Sequence, residues 1–328
     1  MKTVLTLTSA SISLLAAAAL TACGGGGGDD APAAPDKLVS ISFTALNGST
    51  PVKCGTQMTS LGSTGVATDI RDLRFYITNL SLINDKGGVV PVKLDANKWQ
   101  LTQGSEKVAL IDLEDGTGTC AGNTSDTNAV ISGSVPAGTY VGLKASVGVP
   151  DTMNHTDTAT AVAPLDSTAL AWSWQSGRKF TKIEVDPVGG VTKTVAATAT
   201  TPAVVSTIST FNLHLGSTGC TAKVDALGVA VKDAAGNAVY VCTNPNLADF
   251  SLPAFDAGTQ KVALDLGQLF KTTDITKENG GSTGCMSGAT DPECPTLFTE
   301  LQISFGSGST GLPINGGAAQ KIFKAVAK

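Results

Sequence analysis

Histidine is scarce in this chain, and its two copies are the side chains best suited to chemistry. His155 lies in a polar stretch just after Gly148-Val149-Pro150, and His214 ends a short apolar segment before Cys220. Two neutral imidazoles suit Cu, Zn, Fe or Ni, and the remaining ligands decide which metal is bound. An isolated histidine is more often a surface or core residue. Composition alone therefore leaves a shared metal site and two unrelated histidines both open.

Tryptophan is the second rare residue type, with copies at Trp99, Trp172 and Trp174. Trp172 and Trp174 are two positions apart, so on a strand both rings point to the same face. The ordinary interpretation of such a pair is core packing.

Most familiar catalytic patterns are missing from the chain. It contains no H-E-x-x-H, P-loop or C-x-x-C sequence. Asp112, Glu114 and Asp115 form a small acidic group after an apolar run, and a solvated turn is the favoured interpretation of that group. The motifs therefore favour a binding or structural protein over an enzyme.

The elements that position these residues are predicted to be strands. Several segments alternate apolar and polar residues with a period of two, most clearly Leu73–Leu82, and Gly- and Pro-containing turns separate them. Residues 186–208 are interpreted as a hairpin extension or a mobile loop, and residues 272–296 as a stapled surface loop. The predicted fold class is all-β, an antiparallel β-sandwich or barrel-like domain with long disulfide-stapled loops.

Cysteine use indicates an oxidising compartment. Six cysteines follow Cys23, and an even count in an exported protein indicates three disulfides. Six cysteines allow 15 connectivities, and the sequence alone does not choose among them. The favoured hypothesis is sequential pairing, because it closes local loops, with the bonds Cys54–Cys120, Cys220–Cys242 and Cys285–Cys294.

The N-terminus has the pattern of an export signal. A basic residue at Lys2 precedes an apolar run that is too short to cross a bilayer. The run ends in Leu20-Thr21-Ala22-Cys23, which resembles the processing box of bacterial lipoproteins, in which the cysteine carries the lipid. The predicted organisation is a signal peptide (1–22), a lipidated Gly-rich tether (23–37) and a single β domain (38–328). Ordinary signal cleavage near Ala22 is the alternative.

The charge pattern bears on partners. Net charge is −5, and the 22 basic residues form no run. A nucleic-acid partner would need a basic face, so none is predicted. Membrane association is expected through the lipid anchor only.

A set of short motifs, taken in order over residues 38–298, resembles the MbnP-like family of secreted proteins, also known by a metallo-mystery pair four-Cys motif. The motifs are Asp72-Leu73-Arg74-Phe75-Tyr76-Ile77, Trp99-Gln100, Leu110-Ile111-Asp112-Leu113-Glu114, Thr127-Asn128, Gly148-Val149-Pro150, Asn154-His155, Pro164-Leu165, Trp172 to Phe180, His214 to Cys220, and Cys242 with Pro245-Asn246. Each motif is weak singly, but their order and number make the resemblance specific.

The resemblance implies a periplasmic copper-binding protein that works beside a di-haem cytochrome c peroxidase-like enzyme of the MbnH type. It implies copper ligation by His155 and His214, together with a kynurenine that the partner enzyme makes from a tryptophan. Trp172 and Trp174 are the candidates for that modification, and Trp99 is a third. The implied location is the bacterial cell envelope, as an outer-membrane lipoprotein facing the periplasm or the cell surface.

One residue departs from the family pattern. Arg178 stands where members commonly carry tyrosine. An arginine there is expected to alter contact with the partner enzyme or access to the tryptophans.

Three hypotheses follow, in order of preference. The first is a copper-binding protein that is not an enzyme. The second is a structural or adhesion β-sandwich lipoprotein without metal, and the third is a redox enzyme with an open copper site.

Overall fold

Strands make up most of the regular structure, as the alternating segments predict. The computed structural model describes residues 34–172, 177–233, 236 and 238–328. In chain order the strands are β1 (Lys37–Asn47), β2 (Thr50–Pro51), β3 (Met58–Leu61), β4 (Val66–Asn84), β5 (Val89–Pro91), β6 (Lys93–Leu94), β7 (Gln100–Gln103), β8 (Glu106–Asp112), β9 (Val130–Val135), β10 (Tyr140–Val147), β11 (Ala171–Trp172), β12 (Gly177–Arg178), β13 (Thr181–Pro187), β14 (Val191–Val195), β15 (Val204–Ile208), β16 (Phe211–Leu213), β17 (Thr218–Ala222), β18 (Tyr240–Asn244), β19 (Ala248–Leu252), β20 (Gln260–Asp265), β21 (Lys277–Glu278) and β22 (Phe323–Ala327).

Helices are few and short. They are α1 (Asp151–Asn154), α2 (Leu266–Leu269) and α3 (Cys294–Leu301), with 3-10 turns at Gly118–Cys120, Thr168–Leu170 and Ile314–Gly317. In the described parts of the chain, no helix has the length and apolar character needed to span a membrane. The sequence did not predict α3, which begins inside the expected stapled loop and buries Leu297, Phe298 and Leu301.

Two sheets form the body of Pro35–Lys328, which is one compact unit. The first sheet has the order β22-β20-β1-β9-β6, with β2 paired to β1. The second has the order β16-β13-β4-β10-β19, with β3, β5 and β8 also paired to β4 and β7 paired to β8. Pairing within both sheets is antiparallel apart from the parallel pair β1–β20. The long strand β4 is the hub of the second sheet.

The core lies between the two sheets. Phe75 of β4 meets Phe43 of β1 edge-to-face at 6.1 Å between ring centroids. Phe250 of β19 stacks on Phe323 of β22 at 4.1 Å. Each of these ring pairs joins one sheet to the other, which is how a sandwich buries its inner faces. The sandwich form of the predicted all-β fold is therefore confirmed.

Three disulfides hold the loops. They are Cys54–Cys120, Cys220–Cys242 and Cys285–Cys294, the same sequential pairs that the sequence favoured. The segment at 186–208 adopts the hairpin alternative, because β14 and β15 pair antiparallel from Val191↔Ile208 to Val195↔Val204. The predicted signal peptide (1–22) and the predicted lipidation site Cys23 lie outside the described residues.

Candidate metal centre

His155 is positioned by the short helix α1 at the end of β10. It is the residue after the helix, with φ −104° and ψ 16°, and it is half-buried. Its ring stacks on the ring of Tyr240 with 4.5 Å between centroids and 26° between planes. Its Nε2 lies 3.3 Å from Sγ of Cys242. The fold brings an imidazole, a phenol ring and a disulfide together from three separate segments, around His155, Cys220 and Tyr240–Cys242.

The hydrogen bonds around Asn154 assign the proton on the His155 ring. Asn154 Oδ1 accepts the backbone N–H of Arg178 at 2.7 Å, which directs the amide nitrogen Nδ2 toward its other neighbours. That nitrogen lies 3.2 Å from Nε2 of His155 and 3.3 Å from Oγ of Ser217. An amide nitrogen only donates, so His155 Nε2 accepts and Nδ1 carries the proton. The imidazole lone pair is therefore on Nε2, the nitrogen that lies 3.3 Å from Sγ of Cys242.

Arg178 holds the loop that carries His155. Its side chain is almost fully buried at 1% exposure. Nη1 donates to the carbonyl of Asn154 at 2.8 Å and also to that of Thr156, the residues on either side of His155. Nε and Nη2 donate to the carbonyl of Leu165 at 3.2 and 2.6 Å. Burial lowers the pKa of the guanidinium, which the nearby Tyr76 and Asp157 oppose.

Arg178 stands where family members commonly carry tyrosine, and its burial shows where this difference acts in the structure. The guanidinium donates its hydrogen bonds to backbone carbonyls inside the protein. Its direct structural effect is therefore on the conformation of the loop that carries His155. The sequence had no local signal for this role, because the carbonyls it contacts come from two different loops.

Trp172 lies beside His155 in one cavity. A cavity of about 580 Å³ is lined by His155, Trp172, Asp157 and Thr168, among other residues. Trp172 is 5% exposed and pairs with Gly177 in the short β11–β12 ladder. The sequence therefore identified two residues of one cleft.

Two glycines make this close packing possible. A Cβ at Gly177 would lie 3.1 Å from Cε1 of His155. A Cβ at Gly216 would lie only 2.5 Å from Cζ3 of Trp172 and 2.8 Å from the carbonyl oxygen of Arg178. A side chain at Gly216 would displace the indole, because such distances are below any normal carbon contact.

His214 occupies a different environment, directly after β16. It is 6% exposed, and its backbone N–H donates to the carbonyl of Cys285 at 3.0 Å. Its Nε2 lies 2.8 Å from Oε1 of Glu184, a residue of β13 that also forms an ion pair with Lys182 at 3.3 Å. Burial lowers the pKa of His214, and the hydrogen bond to Glu184 only partly offsets this effect. The imidazole is therefore neutral at neutral pH, with Nε2–H donating to Glu184 and the lone pair on Nδ1.

The carboxylate of Glu184 is strongly stabilised in its charged form. Burial would raise its pKa, but the hydrogen bond from His214 and the positive charge of Lys182 lower it to about 2. Glu184 therefore remains ionised throughout the physiological range and orients the imidazole.

A network of buried charges continues from Glu184 across the same sheet. Lys182 Nζ lies 2.5 Å from Oδ2 of Asp72, and Arg74 Nε donates to Oδ1 of Asp72 at 2.8 Å. Asp112 and Glu114 belong to this region and are 2% and 0% exposed. Burial raises the pKa of Asp112 to about 7, against the opposing charge of Arg74.

The prediction of a solvated turn is therefore wrong for Asp112 and Glu114. Strand β8 pairs with β4 so that Arg74 faces Asp112, and this long-range pairing covers both carboxylates. Asp115 is exposed, as that prediction expected.

The structure does not bring the two imidazoles into one cluster of ligand atoms. In the described parts of the chain, two groups have three potential ligand atoms within 4.8 Å of one another: His155 with Cys220 and Cys242, and Cys54 with Glu114 and Cys120. His214 belongs to neither group. The cysteines of both groups are disulfide-bonded, and a disulfide sulfur lacks the thiolate charge that makes cysteine a strong metal ligand.

Of the other two tryptophans, only Trp99 is described, and it is not among the residues that line this cleft. Trp174 lies outside the described residues. Trp99 is half-buried and lies under the ammonium of Lys98 at 5.0 Å from its ring centroid. Of the three candidates, Trp172 is the one that the structure describes next to a histidine.

These features define a disulfide-stapled β-sandwich with an imidazole and an indole in one cleft. A family model described as MbnP matches residues 36–287, and the chain belongs to the MbnP family. The solved structure of MbnP from Methylosinus trichosporium is similar to it, with 32% identity and a TM-score of 0.75, covering 90% of this chain and 99% of that one. No curated protein sequence matches.

Proposed function

We propose that this chain is a copper-binding protein of the bacterial cell envelope and not an enzyme. Its site is built around His155 and Trp172, with His214 as the second imidazole ligand. The observation that carries the proposal is that His155 and Trp172 line one cavity in a member of the MbnP family. Family membership supports a methanobactin-related partner protein, and nitrogen donors are suitable for copper.

The hydrogen bonding of His214 supports its role as a ligand. A metal-binding histidine usually donates its second ring N–H to a carboxylate, which orients the ring and makes it more basic. His214 has this arrangement with Glu184 at 2.8 Å, and its Nδ1 lone pair is the one that would bind the metal. Gly216, two residues after His214, contacts the ring of Trp172, so the backbone of this segment adjoins the cleft.

The two imidazoles face different partners. His155 lies in the cleft and against Cys242, whereas His214 faces Glu184. Substitution of His214 is therefore the most informative test of the two-histidine site.

Copper titration of the mature, oxidised domain tests the proposal directly. We expect His155→Ala and His214→Ala each to lower copper affinity by about tenfold or more, a loss of about 1.4 kcal/mol of binding free energy. Trp99→Phe is the control, because Trp99 is not among the residues that line the cavity of His155 and Trp172. Unchanged affinity in both histidine variants would refute the site, and a loss confined to His155→Ala would remove His214 from it.

The finer parts of the proposal concern modification and anchoring. We propose that a di-haem cytochrome c peroxidase-like partner oxidises Trp172 or Trp174 to kynurenine, whose aromatic amine would add a nitrogen donor. Conversion of tryptophan to kynurenine removes one carbon and adds one oxygen, so peptide mapping of protein from its native host should find a gain of about 4 Da on one of these residues.

We also propose that Cys23 carries a lipid, which a measurement of intact mass would test.

A further inference from the structure

The Cys220–Cys242 disulfide lies beside His155 Nε2, the ring nitrogen that also accepts from Asn154 Nδ2. His155 Nε2 lies 3.3 Å from Cys242 Sγ, and Nε2 and both sulfurs lie within 4.8 Å of one another. The hydrogen bonds of Asn154 place the lone pair on Nε2, as argued above. The nitrogen that faces the disulfide is therefore the one able to bind a metal.

The strands keep the two cysteines opposite each other independently of the disulfide bond. Cys220 of β17 faces Cys242 of β18, and the ladder extends from Thr218↔Asn244 to Ala222↔Tyr240. Side chains directly opposite in an antiparallel pair have Cβ atoms about 5 Å apart. Backbone pairing would therefore hold two free thiols side by side, and Tyr240 in the same ladder would still stack on His155.

This disulfide is the most accessible of the three. Cys220 and Cys242 are both partly exposed. In contrast, Cys120, Cys285 and Cys294 are 0% exposed, so each other disulfide has at least one fully buried partner. Attack by an external thiolate depends on access to sulfur. Cys220–Cys242 should therefore be reduced first.

We propose that Cys220, Cys242 and His155 form a redox-controlled site for a soft cation, Cu(I). A dithiol reductant supplies two electrons and two protons, the S–S bond breaks to give two thiols, and the reductant becomes a disulfide. Cu(I) then binds the two sulfurs and His155 Nε2 and releases the two thiol protons. A disulfide oxidant reverses the change: it takes two electrons from the two thiolates and two protons from solvent and becomes a dithiol, while the Cys220–Cys242 bond re-forms and both sulfur ligands are withdrawn.

The donor set is suitable for Cu(I), one of the cations that soft thiolate ligands select. Two thiolates and one imidazole are soft to borderline ligands. Metal–sulfur and metal–nitrogen bonds of about 2.3 and 2.0 Å in a trigonal site put the ligand atoms about 4 Å apart, within the span that the three atoms occupy here. The ion would replace the contact from Asn154 Nδ2 on His155 Nε2. The proposal does not require copper to bind the oxidised protein.

The test compares oxidised and reduced mature protein without oxygen. The protein is treated with dithiothreitol and desalted, and alkylation with peptide mapping identifies which cysteines have opened. Cu(I) affinity is then measured by competition with a chromophoric chelator, and Co(II) is added as a spectroscopic probe of thiolate ligation. We expect Cys220 and Cys242 to be alkylated first, a thiolate-to-cobalt charge-transfer band, and at least about a tenfold gain in Cu(I) affinity.

Variants distinguish this site from the site proposed for the oxidised protein. Cys220→Ser with Cys242→Ser should abolish the gain, and His155→Ala should reduce it. His214 belongs only to the oxidised-state proposal, so His214→Ala should weaken binding before reduction and keep the gain after it.

Two results would overturn the redox-controlled site. One is equal Cu(I) affinity in reduced wild-type protein and the double serine variant. The other, which needs no variant to fold, is the absence of a thiolate–cobalt band in reduced wild-type protein whose Cys220 and Cys242 are shown to be open.

Discussion

The two histidines differ in what holds them. His155 lies in a loop at a cavity, stacked on Tyr240 and facing a partly exposed disulfide. His214 is buried at the end of a strand, and its Nε2–H donates a hydrogen bond to the carboxylate of Glu184, whose pKa is about 2. The first environment leaves room for a ligand, whereas the second fixes orientation and tautomer.

The difference teaches that a pair of like residues in a sequence need not have like roles. An imidazole in an open cleft can exchange partners at little cost, but an imidazole tied to a buried charge network moves only with that network. If both histidines bind copper, His155 would therefore be the ligand that adjusts its position, and His214 would be the ligand that is held fixed. Three substitutions test this contrast.

The largest effect is expected from Arg178→Met, on the His155 side. The change leaves the carbonyls of Asn154, Thr156 and Leu165 buried without their donor, and each unpaired buried carbonyl costs about 1–3 kcal/mol. We expect the free energy of unfolding to fall by about 4 kcal/mol in urea denaturation. Arg71→Met is the matched control, because Arg71 is 47% exposed in its ion pair with Asp186 and should change stability by less than about 1 kcal/mol. Similar losses in both variants would show that the buried contacts of Arg178 are unimportant.

A smaller, pH-dependent effect is expected from Glu184→Gln, on the His214 side. Since the folded state lowers the pKa of Glu184 from 4.5 to about 2, the ionised group stabilises the fold above pH 4.5. That contribution disappears as pH falls toward 2. We expect the variant to lose about 2–3 kcal/mol at pH 7 and to approach wild-type stability near pH 2.

Glu106→Gln, at the start of β8, is the matched control for this measurement. A constant difference between Glu184→Gln and wild type from pH 7 to pH 2 would contradict the proposed charge stabilisation.

The smallest effect is expected from Gly216→Ala, where the two environments meet. The added methyl group would lie 2.5 Å from the ring of Trp172, and such overpacking costs about 1–2 kcal/mol. The displaced indole should also change tryptophan fluorescence. Gly138→Ala is the control, since its Cβ would meet its nearest atom at 3.7 Å. An unchanged emission spectrum in Gly216→Ala would mean that the indole does not pack against this glycine.

Much of the fold could be predicted from local patterns. The alternation at Leu73–Leu82 lies within β4, and the sequential cysteine pairs are those of the structure. Alternation predicts strands because side chains on a strand face opposite sides in turn. Helix α3 was missed because its eight residues, Cys294–Leu301, are short and follow directly on a disulfide-stapled loop.

The candidate site could be predicted only in part. His155 and Trp172 were identified because their residue types are rare and their motifs resemble the MbnP-like family. The two residues line one cavity. The ion pair of Glu184 with Lys182, and the burial of Asp112, were not identified. These charges come from different strands, so their contacts depend on sheet register, which no single segment encodes.

The amino-acid sequence by itself determined which residues are rare, which segments alternate, and how many cysteines are available for pairing. These are local or compositional properties, set by side-chain chemistry and the period of a strand. Tertiary structure decided that His155 faces a disulfide and a cavity, that His214 faces Glu184, and that Arg178 is buried among carbonyls. Each of these contacts joins residues at least 13 positions apart in the sequence, so only chain folding and sheet pairing could create it.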